Sequence, residues 1–177
     1  ILPTLTYHEA IPGHHLQLSM QNEAKLPLLR KMMDFSSYSE GWALYAEQVA
    51  VEMGMYKDDP MGEIGQLKDS MFRAVRLVVD SGMHGLKWSR EKALGYYVDT
   101  LGDPEASAIT EIERYCVWPG QACSYMLGKV EFLKQRERAQ KALGAKFDIR
   151  KFHDAMLLPG AVPLSLMPEL AGRYISG

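Results

Sequence analysis

Five histidines occur in the 177 residues, and three of them, His8, His14 and His15, fall within eight positions beside Glu9. Residues of these types, so placed, can bind and use a metal ion. In the common zinc-peptidase helix two His stand four residues apart on one face, and the Glu after the first is a general base. Neutral imidazoles hold Zn²⁺, the ion brings the pKa of its water toward about 7, and the Glu takes the proton. The run His8-Glu9-Ala10-Ile11-Pro12-Gly13-His14-His15 departs from that spacing, because Pro12 stands where the second His belongs. On a straight helix His8 and His15 share a face but lie about 10 Å apart along the axis. Pro12 disturbs a regular helix and Gly13 admits unusual backbone angles, so a break here can return one His to the metal. A two-residue insertion puts His14 where the second ligand falls, with His15 as the alternative.

A catalytic zinc takes a third protein ligand and keeps a fourth position open. Glu40, about thirty residues downstream in the helical run SEGWALYAE, is the candidate. Ser37-Tyr38-Ser39-Glu40 also reads as a capping box, in which Glu40 bonds back to the helix start. The residue pattern alone leaves the two readings even. Glu47, two turns later on the same face, is a weaker candidate for that ligand, or else for a supporting place beside the metal.

The elements that must position these groups read as helices. Apolar spacing predicts a helix over Ser37–Met53, stopped by Gly54. Asp59-Pro60 opens a long one to about His84, with Ile64, Leu67, Met71, Val75 and Val78 on one stripe. Ser89 caps a helix through Tyr97, and Asp103-Pro104 opens another to about Val117. Pro119-Gly120 separates that from a helix ending at Gly144, and Asp148 caps a short one over IRKFHDAML. The Pro- and Gly-containing tail after Pro159 reads as loops and turns. No segment alternates with period two, so the expectation is one all-α domain of about seven helices spanning residues 1–177.

Composition fits a globular domain: 47% hydrophobic, 24% charged. A net charge of -2 gives no basis for nucleic-acid binding, and no uninterrupted apolar stretch is long enough for a transmembrane segment. Cys116 and Cys123 lack metal-pair spacing and read as reduced core thiols. The chain opens on Ile1-Leu2-Pro3, which suggests a piece of a longer protein, so localisation is not readable. Trp42 and Tyr45 read as core. His84 reads as structural at a helix end. Asp80 is placed either to orient a metal-binding His or to pair with Arg76.

Five runs occur in order: TYHEAIPGHHLQ, YSEGWALYAEQ, RLVVDSGMH, RYCVWPGQACSYMLG and FHDAMLLPGAVPL. Together they resemble the bacterial family catalogued as domain of unknown function 885, whose proteins are longer. The family is distantly similar to the thimet-oligopeptidase-like and Taq-carboxypeptidase-like helical zinc metallopeptidases. Their metal helix reads His-Glu, one residue, Gly-His, which Gly13-His14 matches after two extra residues. The resemblance implies a gluzincin-like catalytic part with Glu9 as base and Glu40 as ligand. It also implies an oxyanion donor on a helix that follows a Gly-rich turn, here Tyr125, with Tyr115 second. His153 is a further candidate for the oxyanion or substrate, or else a structural His. Arg114 pairs with a substrate carboxylate or a neighbouring Glu.

The expected function is zinc-dependent hydrolysis of peptide bonds, with Zn²⁺ as cofactor and a peptide as substrate. A missing N-terminal part would form the other wall of the cleft. The competing reading is a non-catalytic helical metal-binding or interaction module. A di-iron bundle is not favoured, because no Asp or Glu stands three residues before any His.

Overall fold

The structure is a computed structural model that describes residues 2–177. Among the described residues there are ten α-helices, three short 3-10 turns and no strand. The helices are α1 (Leu2–Glu9), α2 (His14–Glu23), α3 (Leu28–Met32), α4 (Ser36–Glu52), α5 (Pro60–Leu86), α6 (Arg90–Leu101), α7 (Glu105–Val117), α8 (Ser124–Leu143), α9 (Ile149–Leu157) and α10 (Met167–Ser176). None is long and apolar enough to cross a membrane.

Local chemistry sets several boundaries. The Asp59 carboxylate accepts the Gly62 N–H and Pro60 fills the first turn of α5, where its missing N–H costs nothing. Ser89 caps α6 through the Lys92 N–H, and Asp148 caps α9 through Arg150 and Lys151. Asp103-Pro104 opens α7, but Asp103 does not cap it. Its carboxylate goes to Lys68 on α5 at 2.7 Å, and Pro104 takes the cap position. The tail is not all loops either. α10 forms because Met167, Leu170 and Ala171 are buried against the core, and Pro168 is tolerated in a first turn.

Two apolar clusters organise the chain. One gathers Tyr38, Trp42 and Tyr45 of α4 with Phe132 of α8, Phe152 and Met156 of α9 and Met167 of α10. The other joins Val75 and Val79 of α5 to Tyr97 of α6 and Ile112 and Tyr115 of α7. Each fully buried side chain of this size contributes roughly 1.5–3 kcal/mol. Trp42 and Tyr45 are thus core, as expected. The α5 stripe behaves otherwise: Val75 is buried, but Ile64 and Leu67 are 57% and 62% exposed. The inward face of α5 carries Gln66, Arg76 and Asp80 instead.

The α4–α8 crossing is the tightest joint. A Cβ on Gly41 would strike the Gly128 backbone, and one on Gly128 would strike the Ser37 carbonyl and Gly41. Only glycine at both positions permits this approach. It brings Glu40, next to Gly41, toward Tyr125, one turn before Gly128.

Candidate metal centre

The break between α1 and α2 solves the spacing problem. α1 ends at Glu9, a turn carries Ala10 to Gly13, and α2 starts at His14. The Ile11–Pro12 peptide is cis. A Cβ on Gly13 would collide with the carbonyl oxygens of Tyr7 and His8, so the chain can fold back this closely only with glycine here. The Trp42 indole N–H donates to the Pro12 carbonyl at 2.9 Å, which pins the turn to α4. At the other end, Thr4 and the Tyr56 hydroxyl hydrogen-bond at 2.9 Å and Tyr7 packs edge-on against Tyr56. α1 is therefore held at both ends, with His8 facing inward.

His8, His14 and Glu40 offer ligand atoms that all lie within 4.8 Å of one another. Glu40 Oε2 is 3.2 Å from His14 Nε2 and 3.4 Å from His8 Nε2. Two ligands at tetrahedral zinc, each bonded at about 2.0–2.1 Å, stand roughly 3.3 Å apart. The donor set of two imidazoles and one carboxylate is one that zinc accepts, so the residues present fit the ion. Glu40 is not a capping residue. Phe35 is the N-cap of α4 with no side-chain cap bond, and Ser39 Oγ donates to Asp34.

The other imidazole nitrogen of His8 donates to Glu47 Oε1 at 2.7 Å. Glu40 and Glu47 lie seven residues apart on α4, hence on one face. Glu47 is fully buried, and its second oxygen has no partner among the described residues. Burial disfavours charge on His8, yet the hydrogen bonds to Glu40 and Glu47 outweigh it and hold its pKa up to about 9. Burial likewise pushes the Glu47 carboxyl up. Both shifts mean that this pair holds its proton firmly. For Glu40 burial is again opposed, and here the bonds from His14, His8 and Tyr125 prevail and hold its carboxyl well below the usual range.

Tyr125 lies beside the cluster. Its ring is within 25° of parallel to that of His8 at 6.3 Å, and its hydroxyl accepts from the Gln121 amide at 3.2 Å. The Arg73 and Arg76 guanidinium groups sit 4.3 and 4.5 Å from its ring centroid. Glu9 ends α1 with its side chain exposed, and no hydrogen bond or ion pair holds it among the described residues.

Other candidates fall elsewhere. His15 is exposed and stands outside the cluster. His153 receives a hydrogen bond from Tyr45 at 2.8 Å and packs edge-on against Trp42. Burial, and then the Arg136 charge, lower its pKa to about 4, so it is a neutral core histidine. Asp80 neither orients a metal-binding His nor pairs with Arg76. It accepts from the Gly120 N–H and from His84, while Arg76 turns to Gln121 and Glu111. The orienting carboxylate is Glu47, whose two-turn spacing from Glu40 was the available signal. Arg114 pairs with Glu111 on its own helix, and Tyr115 is buried against Arg76. Both cysteines are free, but Cys116 is exposed rather than core. A cavity of about 450 Å³ is lined by Lys68, Phe72, Tyr97 and Glu111 among others and touches none of the three candidate ligands.

An all-α domain whose first, second and fourth helices bring two histidines and a glutamate to one point is the class that fold and site define. The chain belongs to the family described as bacterial protein of unknown function (DUF885), whose model matches residues 1–170. It is similar to a solved structure from Colwellia psychrerythraea described as a "putative lipoprotein", at 49% identity and a TM-score of 0.94. The match covers 98% of this chain and 30% of that one. A structure from Shewanella oneidensis, likewise described and of unknown function, matches at 28% identity and a TM-score of 0.89, covering 96% of this chain and 31% of that one. The chain thus spans under a third of the length of these solved relatives. No curated protein matches it.

Proposed function

We propose that this chain carries the metal-binding and catalytic core of a zinc-dependent peptidase. The observation that carries the reading is the convergence of His8 Nε2, His14 Nε2 and Glu40 Oε2 while His8 Nδ1 is committed to Glu47. Three protein ligands backed by a buried carboxylate suit a catalytic site more than a closed structural one, which takes four. When bound, the ion supplies Lewis acidity to water and to a substrate carbonyl.

The chain's own residues supply the rest. Glu47 keeps the His8 proton on Nδ1 and so presents Nε2 as a lone pair. Glu9, next to His8 with a side chain free of partners among the described residues, takes a proton from water and passes it to the leaving amine. Tyr125 donates its O–H to the carbonyl oxygen as negative charge grows there.

The lipoprotein description of the two solved relatives supports an exported setting, with peptides of the cell envelope or its surroundings as substrates. Their greater length supports a cleft whose other wall is formed by further chain.

The test is zinc content and peptide cleavage by the full-length protein, as wild type, Glu9→Gln and His8→Ala. Stoichiometric zinc in the first two, loss in the third, and cleavage by the wild type alone are expected. Stoichiometric zinc in His8→Ala overturns the site. Zinc without any cleavage by the wild type favours a non-catalytic metal-binding module.

A further inference from the structure

Tyr125 acts on a substrate oxygen only if its single hydroxyl proton points into the site. A phenol oxygen can donate once and accept as well, so its partners on the protein side decide where the proton goes. Gln121, one turn earlier, reaches it through Nε2 at 3.2 Å. An amide side chain can present either its oxygen or its nitrogen, and which one is fixed by what else it touches. Here Arg76 Nη2 donates to Gln121 Oε1 at 3.3 Å. Arginine has donors only, so the Gln121 oxygen must face Arg76 and the NH₂ must face Tyr125. The Tyr125 oxygen therefore accepts from the protein, and its proton is left to point away from Gln121.

Arg76 is itself immobilised. It is 1% exposed, enclosed by the rings of Phe72, Tyr115 and Tyr125, and ion-paired with Glu111 at 3.5 Å without a hydrogen bond at Nε among the described residues. One turn along α5, Asp80 holds the same turn from its other side, its two oxygens each 3.0 Å from the Gly120 N–H. So one face of α5 grips both the backbone and the side chain of the Gly120-Gln121 segment that leads into α8. The Tyr125 ring faces that of His8 at 6.3 Å, which sets Tyr125 beside the metal cluster, and its hydroxyl helps to hold the Glu40 carboxyl down.

We propose that Arg76 and Gln121 are positioning residues: Arg76 fixes the amide orientation of Gln121, and Gln121 in turn fixes Tyr125 as a hydrogen-bond donor toward the His8–His14–Glu40 cluster. The catalytic consequence rests on the peptidase reading, whereas the hydrogen-bond direction does not. The variant that inverts the relay is Gln121→Glu. Its carboxylate, kept ionised by Arg76, can only accept, so it draws the Tyr125 proton away from the site.

Two readouts on the zinc-loaded full-length protein test this. The first is the tyrosine Fermi doublet in Raman difference spectra against Tyr125→Phe, which reports whether that phenol donates, accepts or does both. Wild type is expected to show mixed donor–acceptor character and Gln121→Glu donor-only character. The second is peptide hydrolysis, where Gln121→Glu is expected to lower kcat by about 10²-fold, the cost of one lost oxyanion donor, with KM and zinc content unchanged. Arg76→Gln is expected to lower kcat by a smaller factor, with Arg76→Lys restoring part of it. Gln121→Met serves if the charged variant does not fold, and is expected to remove acceptor character from the doublet. An unchanged doublet in the folded Gln121 variant overturns the proposal, whatever the activity. A changed doublet in the Gln121 variant, with a wild type that cleaves no peptide, leaves the relay standing and counts against the peptidase reading alone.

Discussion

Glu47 Oε1 accepts a hydrogen bond from His8 Nδ1 at 2.7 Å, two turns beyond Glu40, whose own oxygen lies 3.4 Å from His8 Nε2. One imidazole is thus held between two carboxylates of a single helix, one placed to share a metal and the other to fix the ring.

On the proposed metal reading, that relationship makes Glu47 a determinant of metal affinity without being a ligand. Glu47→Gln is expected to weaken zinc binding by about 10–100-fold, the usual cost of losing such a partner. Competition against a chromogenic chelator measures it, and an affinity equal to wild type would remove Glu47 from the site.

His14 and His15 are adjacent but differ in placement, one in the cluster and one exposed. His14→Ala is expected to lose stoichiometric zinc, and His15→Ala to keep it with a stability change within about 0.5 kcal/mol. The opposite pattern in metal analysis would exchange their roles.

The pH dependence should change sign with metal. Without metal, the His8 pKa is raised from 6.5 to about 9, so its contribution to stability is fully present below 6.5 and lost as pH rises through 9. Glu40 is lowered, so its contribution is present above the ordinary carboxylate range and lost on acidification. With zinc, protons compete for the same imidazole, and falling pH displaces the ion. Urea midpoints between about pH 6.5 and 9 should fall with pH in chelator and hold or rise in zinc. Parallel curves would show that His8 does not meet the metal.

The α4–α8 joint admits no side chain at Gly128. Gly128→Ala is expected to destabilise by about 1–3 kcal/mol as the helices are forced apart, lowering Tm by roughly 2–4 °C per kcal/mol. Because the same joint sets Tyr125 against Glu40, any residual hydrolysis should fall further than stability explains. Thermal unfolding and kcat measured on one sample separate the two effects.

His153 is bonded to Tyr45 and packed on Trp42 rather than on the metal cluster. His153→Gln is expected to leave zinc content unchanged while lowering Tm, because the Tyr45 hydroxyl is left in poorer geometry. Loss of zinc in this variant would place His153 nearer the site than the packing indicates.

Much of this architecture was legible in the residues. The caps at Asp59, Ser89 and Asp148 are local, since each side chain bonds N–H groups two or three residues on, and a string of letters suffices to find them. The grouping of His8, Glu9 and His14 beside Pro12-Gly13 is also local, and marks a helix broken in two with candidate ligands on either side of the break. The Asp103 partnership with Lys68 was not legible because Lys68 lies 35 positions away. α10 was missed because its stability comes from burial against the core rather than from its own propensity.

The sequence by itself determined which groups are available for chemistry and that they sit on helices, because residue type and helical period are properties of neighbours along the chain. Only the tertiary structure decided their partnerships. Glu40 as cluster member rather than cap, Glu47 rather than Asp80 behind a histidine, and Arg76 reaching Tyr125 through Gln121 each depend on helices crossing at set distances. Those distances come from side-chain volumes and from glycines at points of closest approach, and no spacing along the chain encodes them directly.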